Sequence, residues 1–226
     1  MSDVIHSVAR ALSADVQGIN TVSHNVANLN TPGFQGVRAL PDFGAAAGLQ
    51  RPDGRAVELA DGPLKQTQRP LDLALRGDGF FVIERDGQTL LTRSGRFMRD
   101  ADGRLTTAQG DRVLADTGAL TLPEGQVRVE LDGQVLVDGK LLATLSIVDV
   151  AEPLRLQPVD GGYRYEGAMR SWKGSLQQGA IEQSNVDAAA ETLRLVELTR
   201  HAESVQRVIS IYDRTLEIGI NRLGDN

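Results

Sequence analysis

The chain has 226 residues, of which 41% are hydrophobic and only 4% aromatic, so a packed core is possible but must rest on Val, Leu and Ile. A net charge of −6 and a pI of about 5.1 argue against nucleic acid and anionic membrane as main partners. With no cysteine, disulfide staples and thiolate chemistry are excluded. The opening Met1-Ser2-Asp3-Val4-Ile5-His6 has neither a basic n-region nor an apolar h-region, so no cleaved signal peptide is expected. No stretch is long and apolar enough to span a bilayer.

From Met1 to about Leu29 the pattern is helical. Ile5, Val8, Leu12, Ile19, Val22, Val26 and Leu29 recur at spacings of three, four or seven. Asp15 takes a position where one more apolar residue would fall. The helix is expected to stop at Asn30-Thr31-Pro32-Gly33, because proline disfavours helix in the residue before it and glycine permits the turn. Asn28 and Asn30 suit a helix exit, since asparagine bonds nearby backbone and tolerates left-handed conformations, and Phe34 can anchor the corner. The stretch from Leu40 to Arg55, rich in Gly, Ala and Pro, reads as linker.

From about Gly62 to Gly167 the texture changes to β. Leu71-Asp72-Leu73-Ala74-Leu75 alternates. Phe80-Phe81-Val82-Ile83 is a short apolar run, followed by Asp86-Gly87 and Thr89-Leu90-Leu91-Thr92, which is a hairpin signal. Val127 to Leu131, Asp132-Gly133, Gln134 to Val137 and Asp138-Gly139 repeat it. Asp-Gly occurs eight times, all between positions 53 and 161, which suits many short antiparallel strands.

The last zone, from about Val186 to Leu223, is helix with the sharpest pattern in the chain. Leu195, Leu198, Ala202, Val205, Ile209, Tyr212, Leu216, Gly219 and Leu223 alternate steps of three and four, a heptad seam. Val208, Ile211, Ile218 and Ile220 lie off that seam, so the apolar surface is wider than one partner needs. Asn185 or Asp187 is the expected N-cap. Neither terminal helix can bury its seam alone, so the two ends are expected to meet and to need further molecules. The pattern therefore predicts an α+β protein that self-assembles. Its N- and C-terminal helices would form a coiled-coil layer around a central antiparallel β-rich domain.

Three ordered stretches carry a family resemblance. Ala27-Asn28-Leu29-Asn30-Thr31-Pro32-Gly33-Phe34 resembles the N-terminal signature of bacterial flagellar rod and hook proteins. Gly179-Ala180-Ile181-Glu182-Gln183-Ser184-Asn185-Val186-Asp187 resembles their second signature. Arg69-Pro70-Leu71-Asp72-Leu73-Ala74-Leu75-Arg76-Gly77-Asp78-Gly79-Phe80-Phe81-Val82, continued by Thr92-Arg93-Ser94-Gly95-Arg96-Phe97, resembles their β-domain. The resemblance implies a non-enzymatic axial subunit of the basal-body rod, exported through the flagellar type III apparatus and assembled in the periplasm, with terminal helices packed in the inner layer of a hollow tube. The short stretch between Phe34 and Gly62 favours a proximal rod subunit over a distal rod or hook subunit.

Residue pattern and resemblance together divide the chain into an N-terminal helix 1–35, a linker 36–61, a central β-domain 62–175 and a C-terminal coiled-coil helix 176–226. The resemblance assigns assembly contacts to Leu12, Ile19, Val22, Val26, Asn28, Asn30, Pro32, Gly33 and Phe34. At the other end it assigns Ser184, Asn185, Val186, Asp187, Leu195, Leu198, Ala202, Val205, Ile209, Tyr212, Leu216 and Leu223. The implied partners are copies of the chain, other rod subunits and the export apparatus. One departure is Thr199-Arg200-His201-Ala202-Glu203, where the family often carries Gln-Arg, then Tyr-Glu, then Asn.

Other chemistry is poorly served. Gly77-Asp78-Gly79 lacks the third glycine and following helix of a dinucleotide loop. The Asp-Gly pairs lack the ligand ladder of a calcium loop. His6, His24 and His201 lie on the expected helices, away from acidic clusters at metal-ligand spacing, and read as surface or interface residues. No cofactor is expected, and an extracytoplasmic hydrolase, the competing class, would need a polar catalytic cluster that no motif supplies. Arg200, Arg207 and Arg214 recur every seven residues opposite the seam. They read either as a solvated face or as partners for carboxylates of neighbouring subunits.

Overall fold

The computed structural model describes residues 2–39 and 55–224, and it divides into two compact units. One holds residues 1–27 with 187–226; the other holds residues 28–186.

The first unit is a pair of helices, α1 (Ser2–Ala27) and α2 (Ala188–Gly224). Asp187 caps α2: its Oδ1 accepts from the N–H groups of Ala189 at 2.8 Å and Ala190 at 3.2 Å, satisfying two of the donors that every helix start leaves unpaired. Thr192, Thr199, Ser204, Ser210 and Thr215 each donate their hydroxyl to the carbonyl four residues earlier, so these polar side chains are satisfied on α2 itself.

The helices run antiparallel, and three contacts fix their register. Asn25 Nδ2 donates to Glu191 Oε1 at 2.9 Å. A Cβ built on Gly18 would stand 3.0 Å from the methyl carbons of Leu198. His201 Nδ1 lies 2.8 Å from both Asp15 oxygens. Seven residues back on α1, from Asn25 to Gly18, match seven forward on α2, and the three further to Asp15 match the three to His201.

The second unit is β-rich, and every strand pairing among its described residues is antiparallel. At its centre, Phe80–Arg85 pairs with Gln88–Thr92 across the Asp86-Gly87 turn. Both turn residues have positive φ, 50° and 76°, as a two-residue hairpin turn that follows the strand twist requires. The other edge of Phe80–Arg85 pairs with Arg112–Ala115 and Ile147–Val150. A separate meander joins Val127–Val129, Gln134–Val137 and Lys140–Thr144.

Because Phe80–Arg85 alternates direction, it feeds two cores. Phe81 and Ile83 pack with Leu73, Leu75, Phe97 and Leu176, the two phenyl rings meeting edge to face at 5.0 Å. Phe80 and Val82 pack with Leu91, Leu156, Tyr163, Val37 and Val57. The last two belong to paired strands Val37–Ala39 and Arg55–Val57, inside the segment read as linker. Their side chains are apolar enough to be drawn into the core, and only residues 40–54 between them lie outside the described part. The β-unit also runs past residue 175: Ser175–Gln178 pairs with Leu73–Arg76, and Ala180–Glu182 pairs with Leu64–Gln66.

Candidate assembly site

The assigned assembly residues fall into two groups, one in each unit. Along α2, Leu195, Leu198, Ala202, Val205 and Tyr212 are half-buried and Ile209 is borderline exposed. On α1, Val22 is buried, Leu12 and Ile19 are half-buried, and Val26 is exposed. The side chains of Leu216 and Leu223 lie outside the described residues. Asp15 interrupts the apolar face of α1 and is nonetheless only 5% exposed. His201 covers it from α2 and supplies the hydrogen bond.

α2 also has a second apolar face. Leu193 and Ile211, each 66% exposed, are five turns apart and share one side of the helix. Ala202 follows Leu193 by nine residues, about two and a half turns, so the seam lies on the opposite side. Val196 and Val208 are exposed on that outer side as well.

In the β-unit, the segment leaving α1 and the segment leading to α2 meet. Asn28 closes a turn, accepting from Thr31 N at 3.1 Å and from Thr31 Oγ1 at 3.1 Å. Gly33 follows with φ of 68°, and a Cβ there would stand 2.4 Å from Ser94 N, so no other residue fits. Its N–H donates to Glu182 O at 2.9 Å, and Asn185 N donates to Phe34 O at 3.3 Å. Pro32 and Phe34 are half-buried, Ser184 is buried, and Asn30 is exposed. Val186 packs on Gly36, where a Cβ would come within 3.2 Å of it.

Asn185 is not a helix cap. Its Oδ1 accepts from Gly36 N at 2.7 Å, and its Nδ2 donates to Gln35 Oε1 at 2.9 Å and Glu58 O at 2.8 Å. Behind it lies a buried polar network. Glu182 Oε1 accepts from Gln35 Nε2 at 3.1 Å and Gly62 N at 2.9 Å, and Oε2 accepts from Arg93 Nε at 2.5 Å. Arg93 Nη1 donates to the carbonyls of Gly77 and Gly79, both at 2.7 Å, and Nη2 to Asp61 Oδ1 at 2.7 Å. Burial holds the Glu182 carboxyl above its ordinary range, against the opposing pull of the Arg93 charge and the Gly62 N–H.

Gln35, Asp61, Arg93 and Glu182 are absent from the residues assigned by sequence. The signal available was charge out of place: Arg93 directly follows the apolar strand end at Thr92, and Glu182 sits between Ile181 and the corner. Among the described residues no group of three or more His, Cys, Asp or Glu could hold a metal ion.

Three stretches of the chain match known protein families. Residues 6–35 match the family described as flagella basal body rod protein. Residues 74–137 match the flagellar hook protein FlgE/F/G D1 domain, and residues 177–223 the C-terminal family of flagellar basal body rod FlgEFG proteins. The chain is 30% identical over 228 residues to the flagellar basal-body rod protein FlgF of Caulobacter vibrioides, covering 91% of each chain. It is 29% identical to the FlgF of Escherichia coli, over 92% of this chain and 94% of that one. It is 26% identical to the flagellar basal-body rod protein FlgG of Borreliella burgdorferi, over 98% of each.

Proposed function

The chain belongs to the family of flagellar basal-body rod proteins and is a structural subunit of the rod, and we propose that it polymerises through its terminal helices into a hollow, torque-transmitting tube, in the proximal part of the rod. The observation that carries this reading is the two-sided α2. One side packs on α1, while Leu193, Val196, Val208 and Ile211 stay exposed on the other. An apolar stripe left exposed on a helix whose opposite side is already packed marks a surface for a further partner. In a helical polymer the second cover is another subunit, either a copy of this chain or a different rod protein.

The family locates the chain in the flagellar basal body. Export through the flagellar apparatus into the periplasm is the route that membership of this family favours. The structural character of the family disfavours the hydrolase alternative. Electron microscopy of basal bodies from a strain lacking this chain tests the reading. Basal bodies that stop short of a complete rod are expected, and complete rods bearing hooks would overturn it.

A further inference from the structure

We propose that Asp15 and His201 form a register-specifying pair, which holds α1 and α2 in one alignment that their apolar residues alone do not select. The need for such a device follows from the sequence of α2. Its seam repeats every seven residues, Leu198 to Val205 and Leu195 to Ala202 to Ile209. Sliding α1 by one heptad along α2 therefore sets apolar positions against apolar positions again.

Length does not forbid the slide either. In the observed register Ser2, the first residue of α1, lies level with Arg214, and α2 continues to Gly224. That leaves about ten residues, about 15 Å of helix, past the start of α1. A seven-residue slide toward the C-terminus of α2 keeps α1 alongside α2 over its whole length. Within one chain the covalent connections through residues 28–186 also oppose the slide, but no such connection links α1 of one subunit to α2 of another.

The polar residues discriminate. After that slide Asp15 would lie level with Val208, and Asn25 with Leu198, in place of His201 and Glu191. Asp15 is buried, so its carboxylate would lose its donor and face an aliphatic side chain. An unpaired buried carboxylate is far costlier than a paired one. A single polar residue in an apolar seam fixes register in this way at some cost in stability. His201 stands on the surface and reaches in, its Nδ1 2.8 Å from both Asp15 oxygens.

The chain has no cysteine, so introduced pairs report register without background. In the full-length protein, G18C/L198C reads the observed register and G18C/V205C reads the one-heptad slide. With Asp15 present, oxidation is expected to link the first pair and leave the second at background. In the Asp15→Leu background the G18C/V205C product, as monomer or dimer, should rise about tenfold or more, the change that losing about 1.4 kcal/mol of discrimination against the slid register produces. Asp15→Asn keeps an acceptor for His201 and should behave as wild type. The proposal is overturned if G18C/V205C links while Asp15 is present, if Asp15→Leu leaves only the observed-register product, or if Asp15→Leu abolishes both products. The inference concerns the helix pair and rests on the rod reading only for its use. The cross-link pattern decides it, and swimming of an Asp15→Leu strain bears separately on the rod.

Discussion

Arg93 and Glu182 pair within the β-unit with side chains 5% and 0% exposed, Nε to Oε2 at 2.5 Å. Glu182 stands in the strand that leads to the α2 segment, and its backbone carbonyl holds Gly33 of the α1 segment. One buried ion pair thus ties both corners of the chain to the central sheet. Such a pair is a weak source of net stability but a strong constraint, since losing either partner strands a buried charge.

Arg93→Met should therefore destabilise the chain by about 3–5 kcal/mol near neutral pH. The loss should shrink on acidification. Burial already raises the Glu182 carboxyl in the folded chain, and removing the arginine takes away the charge that opposes this. A carboxyl raised on folding binds more protons in the native state, so stability falls as pH rises from the unfolded carboxyl range, about 4.3, through the folded value. Urea unfolding at pH 5 and pH 8 should show the variant closer to wild type at pH 5. An equal deficit at both would count against a stranded carboxylate.

Asp111 carries the opposite sign. Arg85 grips it through Nε at 2.6 Å and Nη2 at 2.7 Å, and Thr107 Oγ1 adds a bond at 3.0 Å. The hydrogen bond from Arg85 holds the Asp111 carboxyl below its ordinary range. A depressed carboxyl stabilises the fold above about pH 3.9 and loses that contribution as pH falls through its folded value. Asp111→Asn should cost about 1–3 kcal/mol at pH 7 and flatten the acid limb of the stability profile. Thermal melts between pH 2.5 and 7 test this, and an unchanged acid limb would assign acid sensitivity elsewhere.

Much of this fold was legible along the chain. Steps of three and four marked the terminal helices, and Asp86-Gly87 and Asp138-Gly139 marked two tight turns whose residues all have positive φ. Long-range pairings were not legible. Leu64–Gln66 and Ala180–Glu182 are three-residue strands more than a hundred positions apart, too short for a period-2 pattern to declare itself. Asp15 read as a gap in an apolar face because its partner, His201, comes from the far end of the sequence. Asn185 and Asp187 were equal candidates for a cap. Only the fold shows that Asp187 holds the helix and that Asn185 bonds Gly36, Gln35 and Glu58.

Those same strand pairings set the smallest β-unit expected to fold by itself. A chain of residues 28–186 should be soluble and unfold cooperatively, because it retains both cores and the Arg93–Glu182 pair. A chain of residues 60–175 removes almost all of Ser175–Gln178 and all of Ala180–Glu182, leaving Leu73–Arg76 and Leu64–Gln66 without their partners. It should unfold at a lower temperature and over a broader range. Calorimetry of the two decides, and equal cooperative transitions would show that the last two strands are dispensable.

Within the helix pair, Ile209→Asp and Arg207→Ala separate seam from outer surface. Ile209 continues the seam, and a carboxylate there forfeits part of a burial worth about 2 kcal/mol and adds a charge beside apolar neighbours. Arg207 is exposed, so its removal should cost about 1 kcal/mol or less. Rod assembly should fail in the first strain and proceed in the second at equal protein levels. Failure with Arg207→Ala alone would make the arginine row an interface.

The most direct measurement uses Ile211→Asp. Ile211 is 66% exposed in the isolated chain, so the change leaves the subunit's own packing intact. In a polymer built through the outer face of α2, it places a carboxylate at every subunit contact. The purified variant should match wild type in helix content and unfolding temperature, while a strain carrying it at normal protein level should lack complete rods and fail to swim. A swimming strain with intact rods would contradict assembly through that face.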